Sequence, residues 1–199
     1  MSKWGRLVML ASFLFAAHSA SAQEAATGSL LVNVQTFTSE KELPKKVQKQ
    51  LASGGLEWGV KDQQLVFSMV NKRFVDFPLS HMTRYGQSET LTLPAGTYQI
   101  TGIGLEMTTS FSIDKILEKG AFVNENVLSF TIEPGKTTTL NIQPVIYKDA
   151  TFAVNFWMPT LNAQAKNEAG ESAQVPLNTR GPSSIAWPAY RGPLKFVSN

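Results

Sequence analysis

Of the two histidines in this 199-residue chain, His18 sits in an N-terminal leader, so catalysis by imidazole would rest on His81 alone. A Ser-His-Asp arrangement would recruit Asp76 and one of the many serines. No Gly-x-Ser-x-Gly elbow is present to expose a nucleophile. A single histidine between a strand end and a turn reads as a surface residue. There is no cysteine, so zinc or copper would have to be held by carboxylates and one imidazole, a donor set that suits neither ion. Asn124-Glu125-Asn126 is the nearest approach to a calcium loop, and between two strands it is more simply turn chemistry. Glu106, Asp114, Glu125 and Glu133 would serve glycoside hydrolysis if two of them converged, and only their separation in space decides that. Gly102-Ile103-Gly104 falls inside a strand, without the strand-to-helix context of a phosphate loop. No metal or cofactor is implied.

The elements that would position such groups are strands. Leu30, Val32 and Val34 alternate with Asn33 and Gln35, the period of a half-buried strand. Gln64 to Val70 is apolar at nearly every position, as in a strand buried on both faces. Val70-Asn71-Lys72-Arg73 is suited to turn the chain back into a strand from Phe74 to Leu79. Leu91 and Leu93 lead into the turn Pro94-Ala95-Gly96-Thr97. Beyond it Tyr98 and Ile100 share one parity while Ile103, Leu105 and Met107 have the other. A β-bulge at Gly102 would restore a single buried face. Leu128, Phe130 and Ile132 precede a type II turn at Pro134-Gly135, and the alternation from Thr137 to Ile142 completes an apparent hairpin with one wet face. Phe152, Val154, Phe156 and Met158 form an apolar face that ends at Pro159, with Trp157 on the opposite, solvent phase. Two short helices interrupt the strands, at Pro44 to Leu51 and Asp114 to Lys119. The lysines of the first read as a solvated face.

Residues 1–22 have the order of a secretory signal peptide: Lys3 and Arg6, an apolar run from Leu7 to Ala17, then small residues to Ala22. That run is too short to span a bilayer, and no later stretch reaches spanning length. Cleavage would leave Gln23 first, without the cysteine a lipoprotein needs. Of 18 basic residues Lys3 and Arg6 go with the leader, so 16 face 15 acidic ones, too even a balance for gripping nucleic acid. The expected location is a bacterial periplasm or the medium.

From Thr160 to Ser184 large apolar residues are few, which reads as a flexible linker. Residues 185–199 then bring Trp187, Tyr190 and Phe196 among prolines. Such rings seek cover on their own domain or on a partner.

The runs LTLPAGTYQITGI and LSFTIEPGKTTTLNI, about 30 residues apart, resemble prealbumin-like domains, including the Cna-B and carboxypeptidase-regulatory modules. The resemblance spans Glu89 to Gln143 and rests on Leu93, Gly96, Tyr98, Phe130, Pro134, Gly135 and Leu140. It implies the fold and compartment of an exported structural module and brings no catalytic residues.

The expectation is therefore an all-β protein: a single antiparallel β-sandwich, Ig-like or prealbumin-like, over 28–159. One or two short helices, the linker 160–184 and the aromatic segment 185–199 accompany it in a largely disordered C-terminal extension. Its expected role is non-enzymatic binding or scaffolding of another envelope macromolecule, protein or polysaccharide, with Trp157, Trp187, Tyr190 and Phe196 as binding residues. A carbohydrate-binding module and a carboxylate-pair hydrolase are the alternatives.

Overall fold

The computed structural model describes residues 26–68, 75–106, 113–151, 154–192 and 194, with backbone alone for 113, 114, 116, 148–151 and 154–158. Strands with period-two burial dominate and pack as two sheets, an all-β sandwich. The seven-stranded sheet includes β1 (Thr27–Val34), whose Leu30, Val32 and Val34 are wholly buried. It runs in the order β11 (Gly170–Glu171), β10 (Val154–Asn167), β9 (Thr137–Thr151), β1 and β6 (Gln87–Pro94). β2 (Thr38–Ser39) joins it on β9 and β12 (Val175–Pro176) on β10.

The six-stranded sheet runs β13 (Ile185–Ala186), β8 (Ala121–Ile132), β7 (Gly96–Leu105), β4 (Gln64–Ser68), β3 (Gly55–Lys61) and β5 (His81–Arg84). The helices are α1 (Lys45–Ala52) and α2 (Ile113–Gly120), where the sequence placed them within a residue or two. The sandwich is not purely antiparallel. β1 pairs β9 in parallel, as β4 does β7, because each pair is joined through the other sheet rather than by a hairpin.

The stretch Leu128 to Ile142 is also not a hairpin: β8 and β9 lie in different sheets. Gly135 has φ +70°, and the Lys136 amide donates to the Glu133 carbonyl at 3.2 Å, so the expected type II turn forms. Its twist splays flanking strands where primed turns keep them paired, which makes it an arch between sheets. The Gly135 amide bonds the Thr27 carbonyl and the Ser29 amide the Lys136 carbonyl, both at 2.8 Å, fastening the arch to β1. At the other turn of the resemblance, the Tyr98 hydroxyl donates to the Pro94 carbonyl at 2.8 Å.

Gly102 carries no parity-restoring bulge. The register of β7 against β8 does shift between Ile100 and Gly102, but the extra residues belong to β8 around Asn126, which has φ +52°. Two added residues preserve parity, so Tyr98 and Ile100 face the main core while Ile103 faces the opposite side of the sheet. Ile103 is nevertheless fully buried. A second apolar cluster covers that outer face, in which Val66, Ile103 and Val123 meet Val75, Phe77, Leu79 and Leu117. The expected strand from Phe74 is instead a covering segment, with only Val75 in a bridge, and the proposed turn at 70–73 lies outside the described residues.

The linker expected at 160–184 is ordered structure. β10 continues past Pro159 and pairs β9 from Val154 to Lys166, placing Ala163 and Ala165 in the core. The chain then crosses the inner face. Leu177 is wholly buried, and its carbonyl would stand 1.9 Å from a Cβ at Gly102. Gly102 is thus required by close backbone approach. The Asn124 amide donates to the carbonyls of Leu177 and Thr179, both at 2.9 Å. Asn178 accepts from the Leu161 amide at 2.7 Å and donates to the Pro159 carbonyl at 3.0 Å. Low apolar content misled the sequence reading because this segment gains order by completing a sheet and core that already exist, at small cost in side-chain entropy.

Candidate functional site

His81 is a clamp residue rather than a surface one. Its ring stacks on Trp58 at a centroid distance of 4.4 Å, and Nδ1 lies 2.5 Å from Glu89 Oε1. Thr83 Oγ1 donates to Glu89 Oε2 at 3.0 Å and accepts from Trp58 Nε1 at 2.9 Å. His81 and Thr83 lie on β5, Trp58 on β3 and Glu89 on β6, so the network ties the two sheets together along one edge. The partner of His81 is Glu89, not Asp76. The only hydroxyl in the network spends its proton on the carboxylate, so it is not poised to lose it to the imidazole. Sequence reasoning missed Glu89 because the turn at Tyr85-Gly86 changes sheets, with Gly86 at φ +80°.

The carboxylates considered for hydrolysis occupy separate settings. Glu106 pairs with Arg180 at 2.6 Å and Glu133 with Lys136 at 2.6 Å, while Glu125 stands beside Tyr190. The side chain of Asp114 lies outside the described residues. Among the described residues no three His, Asp or Glu side chains gather as metal ligands. A shallow cleft of about 300 Å³ opens beside the arch between Ser129–Thr131 and residues 165–172. Its Lys166 and Glu171 face each other at 2.8 Å, and this exposed pair holds the Lys166 ammonium pKa above its ordinary value.

The predicted binding aromatics separate as well. Trp187 and Tyr190 are 4 % and 7 % exposed, buried in the second cluster with Leu194, so the segment packs on its own domain and offers neither ring to a partner. Burial, then the Glu125 carboxylate, pushes the Tyr190 phenol pKa up. Phe196 lies outside the described residues. Trp157 is on β10 opposite Lys148. The side chain of Trp157 lies outside the described residues.

The outer face of the seven-stranded sheet is the surface that sequence reading passed over. Three rows of side chains cross it in register: Thr92, Ser29 and Thr137; Thr90, Leu31, Thr139 and Lys166; and Ser88, Asn33, Asn141 and Gln164. Each position alternates with a buried one or, on β6, a half-buried one, so the hydroxyls and amides point outward. The Asn33 amide donates to Asn141 Oδ1 at 3.0 Å across the parallel pair. Farther along β9 the same phase brings Tyr147, 39 % exposed, to this face. The signal was present in the alternation of Thr137, Thr139 and Asn141. Ending the strand at Ile142 hid Tyr147.

No protein-family model, curated protein or solved structure matches the chain. Among the described residues no helix is long and apolar enough to cross a membrane.

Proposed function

We propose that this is an exported, non-enzymatic β-sandwich that binds another macromolecule of the cell envelope through the outer face of its seven-stranded sheet. Export is supported by the charged, apolar and small-residue order of residues 1–22, and a mature chain beginning at Gln23 is the expected product. The prealbumin-like resemblance of Glu89 to Gln143 points to the same class of module. The observation that carries the binding role is the contrast between the sheets' outer faces: one is sealed by a second apolar cluster, and the other carries hydrogen-bonding side chains at half-buried and exposed positions. A face four strands wide with hydrogen-bonding side chains in register is suited to an extended partner.

The test is co-sedimentation of the purified mature protein with washed envelope fragments from its source cell. Thr139→Arg combined with Asn141→Arg, which puts bulk and charge at the centre of the face, should lower the bound fraction at least about tenfold, the effect of some 1.4 kcal/mol. Lys49→Ala on α1 should leave it unchanged. Equal binding by the double variant and the unaltered protein would refute the assignment.

A further inference from the structure

From the chemistry of that face we infer that its ligand is a neutral, extended glycan, an inference that rests on the binding role proposed above. Solvent-facing sides of sheets ordinarily interleave both signs of charge. α1 does carry Lys45, Lys46 and Lys49, and α2 carries Glu118 and Lys119. On the described outer face of the four strands, from the arch to Tyr147, the charged side chain is Lys166, and Glu171 neutralises it at 2.8 Å. An anionic polymer finds no unpaired cation there. For an apolar or lipid surface the described face offers, besides the single ring of Tyr147, Leu31 and Val145, both half-buried among polar neighbours.

What the face does offer is groups that donate and accept at once, the character of a sugar hydroxyl. Ser88, Asn33, Asn141 and Gln164 stand in one line across β6, β1, β9 and β10, with no register break between those strands. At ordinary strand spacing the line is about 14 Å long, which accommodates consecutive units of a polymer. The Asn33–Asn141 bond fixes two of these amides before any ligand arrives and leaves the Asn33 oxygen, its second N–H and both Asn141 N–H groups unspent by it. Pre-ordered donors lower the entropy cost of binding. Tyr147, farther along the same face, adds an exposed ring on which the C–H face of a pyranose can stack.

The probes are beads coupled to dextran, glucomannan or xyloglucan, with alginate beads and phosphatidylglycerol vesicles alongside, each tested for depletion of the mature protein from solution. At least one neutral polysaccharide should deplete it. Raising the salt about tenfold should not change the result, since no charge is engaged. Asn141→Ala and Tyr147→Ala should each weaken that binding about tenfold, the scale of one lost hydrogen-bonded or stacked contact, while leaving the melting temperature in place. Failure of every neutral polysaccharide, or capture by alginate or vesicles in their stead, would overturn the glycan assignment. If envelope binding still depended on Thr139 and Asn141 in that case, the binding face would stand and only its ligand class would fall. If envelope binding ignored those residues, both would fall.

Discussion

The two sheets share one core but treat their outer faces in opposite ways. Behind the six-stranded sheet, Val66, Ile103 and Val123 are met by α2, the segment 75–79, and Trp187, Tyr190 and Leu194, and the face is dry. In front of the seven-stranded sheet the corresponding positions carry hydroxyls and amides and remain open among the described residues. The difference shows which sheet face is stabilised by apolar packing and which carries polar side chains instead. Apolar residues outside a sheet demanded a cover, and the C-terminal chain supplies it. Uncharged polar residues outside the other sheet demand none.

Removing the cover is the severest way to test this contrast. Truncation after Ser183 deletes Trp187, Tyr190 and Leu194 from the second cluster, a loss on the order of 6 kcal/mol at about 1.5–3 kcal/mol per large apolar side chain. The melting temperature should fall by more than about 10 °C and the chain should bind a hydrophobic dye. An unchanged melt would mean that the six-stranded sheet does not need its cover.

A gentler probe acts through Tyr190. Its phenol pKa is raised above the ordinary value of 10.0, by burial first and by Glu125 second. The folded protein therefore holds the proton after the unfolded chain has lost it. This contribution is complete below the unfolded-state pKa and is lost as pH rises from about 10. Urea midpoints should decline in that alkaline range, and Tyr190→Phe should make the decline shallower. Identical slopes for the two proteins would show that the ring is not held in the second cluster as described.

The smallest effect is expected on the open face. Thr139→Ala removes a hydroxyl from the middle of the seven-stranded sheet and should move stability by no more than about 0.5 kcal/mol, the usual scale for a surface position. A loss of 2 kcal/mol or more, read from denaturant midpoints, would mean that the hydroxyl is structural and that the two faces differ less than claimed.

Local pattern determined much of this protein. The alternation from Leu30 to Val34, the two-sided burial of β4, the type II turn at Pro134-Gly135 and both short helices are consequences of residue type and spacing within a few positions, and the structure has them all. Only the tertiary structure decided which strands share a sheet. Leu128–Ile142 has the pattern of a hairpin and forms an arch, because period two specifies a buried face without specifying the strand alongside. It also decided that Ile103 is buried on the far side of its sheet, that residues 160–179 complete a sheet and close a core, and that His81 meets Glu89 across the sandwich. Each of these depends on residues distant in the chain. Burial is a property of the assembled fold, and a single strand's sequence records only that one of its faces is apolar, not which neighbour will cover it.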